Sequence, residues 1–510
     1  MVDDAMGERG EGSGGWVRRH PKLTAVFCLF LLLLMGTLLF DRAAGNRLQH
    51  ELDAIKARGE PISVQDINEA MIDLPVEKNP AFTVLYRADF LQRTCKVTEN
   101  RNANLPEVGN AKLEATGVPL PAEQFEALQW YFDSRVNDVY LLADPTDSTT
   151  EDESKDETLA EAVEEIEAVL AQPGGRYQVT IITPAINTLL PELSKYRQTS
   201  RFLAASCALN AELGNTAACA RDLDGLNGLA RLFDGGYQFL INTLVQAALE
   251  AQHASWIERV INRIGLPAED LLRIQEQLEQ NRESPDFQKT MMAERVMYID
   301  TYQWAKTGGG GLGALSGLTA GGPPGVGMPL NLWKYVPALP SLDAAYGLDM
   351  YSEMVAATEK PGPHSLNRAK LAESKAMSAP AYHFYSRLIL PSLTRSVELW
   401  LRGIGTKRAM IAALACERYR LANGEWPESL TDLVPQYLKA VPVDPFDDAP
   451  IRYAVTPEGI NVWCIGEDLK DDGGDTKRRE KQTSNNKATD WGWVILNPDL
   501  RGKPMPEPTK

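Results

Sequence analysis

The acidic residues close to the C-terminus are the side chains best suited to binding chemistry in this sequence. The stretch 471–475 reads Asp-Asp-Gly-Gly-Asp. Hard oxygen donors grouped in a glycine-rich turn suit Ca²⁺, which takes six to eight of them. A basic segment follows at 476–487, so the same acids would otherwise belong to a solvated, charge-balanced loop. Asp472 and Asp475 are therefore candidate calcium ligands.

Other side chains that carry catalysis lack a recognisable spacing. None of the five histidines forms a His-Glu-x-x-His pair, and no Cys-x-x-Cys pair occurs. The glycine-rich stretch 308–327 lacks the ending of a phosphate-binding loop and the nucleophile elbow of hydrolases. Paired acids such as Glu164 and Glu165 would serve a glycosidase only if a cleft held them at a set separation. We predict no catalytic and no cofactor-binding residue, and an extracytoplasmic hydrolase that uses acidic residues is the alternative class.

Two of the six cysteines are placed to meet. Cys207 and Cys219 flank the helix-breaking pair Gly214-Asn215, so they would face each other across a helical hairpin. The five cysteines outside the apolar N-terminal segment leave an odd number for pairing. The sequence therefore permits a bridge between Cys207 and Cys219 and does not predict one.

The net charge argues against nucleic-acid binding. It is −17 at pH 7, from 52 basic and 69 acidic side chains among 510 residues. Nucleic-acid affinity depends on neutralising phosphates with Lys and Arg. More than half of the charge lies in 144–167, where eleven acids accompany one lysine. This run is typical of a solvated loop that leads into a helix with a charged face, and a cation-binding or partner-docking role is the alternative.

The apolar segment 23–40 predicts a membrane span. It carries no charge over 18 residues, which make roughly 27 Å of helix. Arg18, Arg19 and Lys22 precede it, so the positive-inside rule places residues 1–22 in the cytoplasm and exports the chain after about residue 41. The small residues at 43–45 would suit a cleaved signal peptide, but the charged step at 41–42 favours an uncleaved anchor.

The exported part from 41 to 306 is predicted to be helical. Capping signals at 63–66 and 79–80 start two helices. From 192 to 306, apolar residues recur at helical spacing between breaks, which predicts antiparallel helical hairpins. The hairpins would stack in a solenoid similar to tetratricopeptide repeats or form an irregular bundle. A Gly/Pro-rich linker and connecting segment follows at 307–391.

The last part of the chain combines one long helix with short strands. Apolar residues keep helical spacing after Pro391 and stop at Asn423-Gly424. Three segments alternate as strands: 451–455, 460–464 and 491–495. We predict a mainly α chain that ends in a small α+β domain with an antiparallel sheet at 392–498 and a tail at 499–510.

A series of motifs in this region keeps a characteristic order. The motifs are Glu417 to Arg420, Asn423 to Pro427, Asp444-Pro445-Phe446, Arg452-Tyr453, Ile465 to Asp468 and Asp471 to Asp475. The series resembles the globular domain of the major pseudopilins of type II secretion and covers 392–498, about a fifth of the chain. That family binds calcium after the last hairpin strand, which implies that Asp468 matches its first loop aspartate and Asp490 a later one. Calcium is therefore the one candidate cofactor, with Asp468, Asp472, Asp475 and Asp490 as its candidate ligands, and a solvated charged loop is the alternative.

The chain also departs from the pseudopilins. Segment 23–40 contains no glutamate and no leader-processing site, and over three hundred residues separate it from the C-terminal module. These departures argue against a filament subunit. The patterns at 58–63, 79–81 and 86–88 are similar to those of large, uncharacterised bacterial single-pass proteins that end in the same module. That resemblance implies an architecture and supplies no reaction.

These features predict a membrane-anchored interaction or assembly protein of the bacterial envelope. It would sit in the inner membrane through 23–40, with its bulk in the periplasm and with envelope or secretion proteins as partners. An accessory component of a type II secretion-like system is a further alternative to the hydrolase. A hydrolase should show a concave pocket with converging carboxylates of perturbed pKa, whereas an interaction protein should show helical ridges with an apolar groove.

Overall fold

The computed structural model describes residues 20–71, 79–94, 104–113, 116–135, 157–280, 287–306, 338–476 and 490–503. It confirms the predicted fold class, a mainly helical chain with a long apolar N-terminal helix and a small antiparallel C-terminal sheet. The helices are α1 (Pro21–Ala57), α2 (Val64–Ala70), α3 (Pro80–Thr94), α4 (Ala122–Asp133), α5 (Leu159–Leu170), α6 (Glu192–Glu212), α7 (Thr216–Arg231), α8 (Leu240–Arg263), α9 (Ala268–Gln280), α10 (Phe287–Lys306), α11 (Ala338–Ala357), α12 (Pro363–Ser378) and α13 (Phe384–Asn423). The strands are β1 (Arg452–Thr456), β2 (Gly459–Cys464) and β3 (Trp491–Leu496), and short 3₁₀ turns lie at Ala185–Asn187 and Leu430–Leu433.

Helix α1 contains the predicted membrane segment. It has 37 residues and therefore continues well beyond the apolar run 23–40. No part of its most apolar 18-residue window is buried, whereas Ala44 and Ile55 in its second half are buried. Within the described residues, α1 is the one helix that is long and apolar enough to cross a membrane.

The chain divides into two compact units. One comprises the described residues within Met1–Glu60, Tyr302–Met350 and Ala376–Ile389, and the other comprises the described residues within Pro61–Thr301, Tyr351–Lys375 and Leu390–Lys510. In the first unit, Asp343 of α11 caps the start of α13, because its Oδ1 accepts hydrogen bonds from the backbone N–H of Ser386 at 3.2 Å and from its Oγ at 2.6 Å. Helix α13 therefore begins at Phe384, earlier than the apolar pattern predicts, and passes through Pro391.

The second unit is built on helical hairpins with turns at the predicted breaks 214–215, 235–236 and 265–267, and the predicted break at 284–285 lies outside the described residues. Gly214 adopts φ +70° after α6, and Asn215 caps α7 by accepting a hydrogen bond from the Ala218 N–H at 3.1 Å. Helix α7 lies very close to α5, since a Cβ at Gly228 would be 2.8 Å from the carbonyl oxygen of Leu170. Local turn signals thus place the hairpins, and a small residue sets how closely these helices approach.

Aromatic packing and one amide hold the hairpins and α2 together. Tyr177 stacks on Phe233 with ring centroids 4.9 Å apart, and Tyr196 meets Phe233 edge to face at 5.3 Å. Asn68 of α2 bonds the backbone of Ile181 in both directions, donating to its carbonyl at 2.9 Å and accepting from its N–H at 3.1 Å. Helix α2 is therefore fixed to the body of this unit.

The C-terminal sheet has the order β1-β2-β3, with both pairs antiparallel. Val462 lies opposite Tyr453 on one side and Trp493 on the other. The indole Nε1 of Trp493 donates to the carbonyl of Thr406 at 2.7 Å, which ties β3 to α13. The sheet thus packs against the long helix.

The free edge of β3 is covered by two side chains of α8. Asn262 donates to the carbonyl of Val494 at 2.7 Å and accepts from the N–H of Leu496 at 2.8 Å. Glu258, one turn earlier on the same helix face, accepts from the N–H of Val494 at 2.9 Å. These side chains satisfy the strand as a neighbouring strand would, which removes an edge open to strand pairing.

Candidate functional site

A buried aspartate organises the loops beside the sheet. Asp444 is fully buried, and its carboxylate accepts hydrogen bonds from the backbone N–H of Phe446 at 2.9 Å and of Ile465 at 2.8 Å. It also accepts from Arg452 at 2.5 Å, and the same guanidinium lies 3.6 Å from Asp471. Burial raises the pKa of Asp444 to about 6, although all three donors favour its ionised form. Asp444 thus links β1 to the segment that follows β2.

Asp490 lies immediately before β3 and is the buried member of the four predicted ligands. It is 1% exposed, and its Oδ2 accepts from the N–H of Asp472 at 3.0 Å and of Gly474 at 2.8 Å. Its Oδ1 is also buried and has no hydrogen-bond donor within the described part of the chain. A carboxylate oxygen in this position is costly unless a donor or a cation meets it.

Strand β2 presents a second oxygen to the same turn. Asn461 donates to the carbonyl of Gly474 at 2.6 Å, while its own Oδ1 is buried and unpaired among the residues that the structure covers. Gly474 adopts φ +78°, and a Cβ there would lie 2.5 Å from Asn461 Nδ2. Position 474 therefore requires glycine, because any side chain there would collide with Asn461. Asp490 and Asn461 therefore each contact Gly474 and each retain one free oxygen.

The charges around this turn favour neutralisation of Asp490. Burial raises its pKa, and the charges of Asp471 and Asp472 act in the same direction, against the hydrogen bonds from the backbone. Asp471 in turn accepts from the indole of Trp463 at 3.0 Å and from the N–H of Gly473 at 3.1 Å. A proton or a cation at Asp490 would relieve the repulsion between these carboxylates.

The structure brings together only part of the predicted ligand set. Asp472 meets Asp490 through its backbone N–H, and its carboxylate is exposed. Asp468 is exposed and accepts from the N–H of Lys470 at 3.2 Å, within its own turn, and Asp475 is exposed as well. Within the described residues, no group of three or more His, Cys, Asp and Glu side chains is arranged to hold a metal ion. The basic segment beyond Thr476 lies outside the described residues.

A second group of acids lies inside the helical hairpins. Glu167 on α5 is 8% exposed and Asp222 on α7 is 1% exposed. Burial, together with the charge of Asp222, raises the pKa of Glu167 to about 9, and burial raises the pKa of Asp222 to about 7. Asn210 donates to Asp222 Oδ2 at 2.9 Å. The two carboxyl groups therefore share a proton near neutral pH and behave as one titrating pair.

The acidic run 144–167 is thus more than a solvated segment. Residues 144–156 lie outside the described residues. Beyond them, Arg87 of α3 pairs with Glu157 at 2.7 Å and also contacts Glu165. Glu167 turns inward to Asp222, so the described end of the run contributes to tertiary packing.

A small cavity lies where α8, α10 and α13 meet. Its volume is about 20 Å³. Most of the side chains that line it are apolar, and the charged residues Glu250 and Lys407 line it as well. Trp400 also lines it, and its Nε1 is buried without an acceptor in the described part of the chain. Burial raises the pKa of Glu250, and the charge of Lys407 opposes this shift. A space of this size suits a water molecule and is far below the volume of a substrate pocket.

The sequence pattern could have indicated the buried pair of Glu167 and Asp222, but not the role of Asn461 at the turn around Gly474. Asp222 has the helical spacing of Cys219 and Leu226, all of them buried on α7, so a charged residue occurs within an apolar stripe. Such a residue calls for a partner. Asn461 carries no comparable signal, because polar residues are ordinary at alternate positions of a strand.

No protein-family model, no curated protein and no solved structure matches this chain. The resemblance of 392–498 to the major pseudopilins accordingly rests on sequence motifs. The structural support for a function comes from α1 and from the turn around Gly474.

Proposed function

We propose that this protein is a membrane-anchored interaction component of the bacterial envelope, with the chain after the apolar part of α1 in the periplasm. The observation that carries the proposal is the exposure of α1. Leu33 and Leu38 are each 62% exposed, and no residue of the apolar window is buried. Continuous apolar surface on a single helix requires lipid or an apolar partner. The basic residues before position 23 favour a cytoplasmic N-terminus.

The arrangement of the C-terminal module supports a binding role over polymerisation. A pseudopilin uses one helix for both the membrane and the globular domain, whereas here α1 and α13 are separate helices. Leu401 and Leu414 of α13 are fully buried, and the edge of β3 is occupied by Asn262. The module is therefore built into a larger body, which supports a component that binds envelope or secretion proteins.

The hydrolase alternative draws little support from the acids. Glu167 and Asp222 have the perturbed pKa values expected of a catalytic pair, but both side chains are buried between helices. A substrate in solution does not reach them in this conformation. The cavity beside Glu250 holds a single carboxylate and has the volume of a water molecule.

The proposal includes Ca²⁺ at the turn around Gly474. The residues present offer the oxygen ligands that a hard cation prefers. Asp490 Oδ1 and Asn461 Oδ1 are buried and accept no hydrogen bond from the described residues. Asp490 and Asn461 would hold the ion, and Asp472 would contribute charge from the rim. Bound calcium would supply positive charge beside the carboxylates of Asp490 and Asp472 and would order the turn.

Terbium luminescence tests the calcium proposal. Trp463, whose indole donates to Asp471 beside the turn, serves as the antenna for Tb³⁺. We expect sensitised emission from the full-length protein that excess Ca²⁺ displaces. Asp490→Asn should abolish the emission, and Asp499→Asn, an exposed aspartate beyond β3, is the matched control. Equal emission from both variants would contradict the proposal, and Asp468→Asn tests the remaining predicted ligand.

Topology and co-purification test the anchored interaction role. A phosphatase active only outside the cytoplasm, fused after residue 503, should be active, and a fusion at residue 20 should be inactive. The full-length protein in mild detergent should then retain envelope or secretion proteins, with recovery that falls in a chelator. Recovery of the protein alone, with and without calcium, would sink the interaction proposal.

A further inference from the structure

Two buried cysteines meet across the turn between α6 and α7. Cys207 lies near the end of α6 and Cys219 lies in the first turns of α7, with Gly214 and Asn215 between them. Both side chains are fully buried. The Sγ of Cys219 is 3.8 Å from the carbonyl oxygen of Cys207, and the two thiols are within hydrogen-bonding reach of each other. The hairpin therefore holds the two sulfur atoms side by side.

The surroundings of this pair disfavour a thiolate. Burial raises the pKa of Cys207 well above its ordinary value, and the neighbouring thiol and the carboxyl groups of Asp222 and Glu167 act in the same direction. A negative sulfur would have to form next to two acids in a fully buried site. An uncharged dithiol or an uncharged disulfide is compatible with this environment, whereas a reactive or metal-binding thiolate is not.

We propose that Cys207 and Cys219 form a disulfide that closes the α6–α7 hairpin. This inference rests on the proposed export of the chain, because disulfides persist in oxidising compartments. The oxidant is an oxidised thiol–disulfide oxidoreductase. One thiol attacks its disulfide to give a mixed disulfide, and the second thiol displaces the enzyme, which leaves as a dithiol with both hydrogens.

The burial of the pair sets when this exchange takes place. Because both sulfur atoms are fully buried in the packed hairpin, the oxidoreductase meets them before α7 packs against α5. The hairpin is local in sequence, since positions 207 and 219 are twelve residues apart, so the cysteines meet early in folding. Cys464, by contrast, has a backbone carbonyl and not a second thiol as its partner, because its Sγ donates to the carbonyl of Trp491 at 3.3 Å.

Mass spectrometry of the full-length protein tests the proposal. Trypsin releases residues 202–221 as one peptide that contains both cysteines, because no Lys or Arg lies between them. After trapping with N-ethylmaleimide under denaturing conditions, we expect this peptide unlabelled and lighter by two hydrogen masses. Cleavage after Glu212 should leave the two halves joined, and reductant should separate them. Labelled Cys464 in the same digest shows that trapping is complete.

The topology fusion separates failure of this proposal from failure of the proposed export. If the fusion shows export and both cysteines carry maleimide, the disulfide proposal is overturned. If the fusion shows a cytoplasmic location, the full-length protein is refolded with glutathione disulfide. An unlabelled, linked 202–221 peptide then supports the pairing while the export proposal fails, and a doubly labelled peptide overturns the pairing as well. Cys207→Ser should leave one labelled thiol in either compartment.

Discussion

Two buried glutamates in this protein have opposite titration behaviour. Glu417 of α13 is fully buried and forms bidentate pairs with Arg420 and Arg501, at distances between 2.7 and 2.8 Å. Glu167 of α5 is also buried, but its neighbour is another acid, Asp222. Burial acts against the charge of Glu417, yet hydrogen bonds from the two arginines hold its pKa below the ordinary value. Burial and Asp222 raise the pKa of Glu167 to about 9.

The difference shows that the partner, and not burial alone, decides whether a core carboxyl is charged. Glu417 stabilises the fold in its charged form, through ion pairs with Arg420 and Arg501. Glu167 stabilises it in its protonated form, by sharing a proton with Asp222. Glu417 therefore contributes stability at neutral pH that is lost in acid, whereas Glu167 contributes stability in mild acid that is lost as the pH rises.

The largest effect is expected from Glu417→Gln. The substitution leaves the side chains of Arg420 and Arg501, which are 13% and 8% exposed, beside a neutral amide, and breaking a largely buried pair in this way costs about 3–5 kcal/mol. The free energy of unfolding of the full-length protein in mild detergent should fall by that amount, as measured by urea titration. Glu353→Gln removes an exposed pair with Arg368 and is the control, with an expected cost of about 0–1 kcal/mol. Equal losses would break the comparison.

The next effect is a pH dependence that Glu167→Gln removes. Because the pKa of Glu167 rises from 4.5 to about 9 on folding, its stabilisation is fully present below pH 4.5 and is lost as the pH rises through 9. The melting temperature of the wild type should fall across this window by several degrees more than that of Glu167→Gln. If the melting temperatures of the wild type and of Glu167→Gln change with pH in parallel, Glu167 and Asp222 do not share a proton.

Glu417 should give the opposite profile in acid. Its pKa is lowered, so its stabilisation is present above the ordinary value of 4.5 and is lost as the pH falls below it. Glu417→Gln should flatten the acid limb of the melting profile and leave the alkaline limb unchanged. This result would show that the two regions titrate independently.

An intermediate effect is expected at the contact between helix α8 of the helical hairpins and strand β3 of the C-terminal module. Asn262→Leu removes both side-chain bonds to β3 and leaves the carbonyl of Val494 and the N–H of Leu496 unpaired, at a cost of about 1–3 kcal/mol. Glu258→Gln keeps an acceptor for the Val494 N–H and is the matched control. Hydrogen exchange of the Leu496 amide should accelerate in the first variant only. Unchanged protection would show that the sheet is stable without α8.

The smallest effect is expected from Arg221→Gln. Arg221 lies 3.7 Å from Glu167, but it is 53% exposed, so solvent screens its charge. The loss of stability should be below about 1 kcal/mol, in contrast to Arg501→Gln, which removes an arginine that is 8% exposed beside Glu417. Similar losses in urea titration would mean that exposure does not separate the two guanidinium groups.

The elements that the sequence predicts are those with local signals. The capping box of Ser63 and Asp66 begins α2 as expected, and Asn215 caps α7 at the predicted break. The strands β1, β2 and β3 begin and end within one or two residues of the alternating segments. The apolar run before position 41 lies in a helix long enough to span a membrane. Each of these features depends on neighbours within about one helical turn or one hairpin.

The candidate site could be predicted only in outline. The sequence located acids and glycines at 471–475, and Asp490 followed from the pseudopilin resemblance. It did not show that Asp490 is the buried member or that Asn461 faces the same turn. Those facts depend on how β2, β3 and the glycine turn pack, and no local pattern reports that packing.

By itself, the sequence determined where helices, strands and the apolar segment lie, because capping, alternation and hydropathy act over a few residues. Only the tertiary structure decided which buried groups are charged and which edges are covered. Arg501 reaches Glu417 from 84 residues away, and Asn262 reaches Val494 across 232. Electrostatic environment depends on distance in space, and the chain order of such partners carries no signal of their contact.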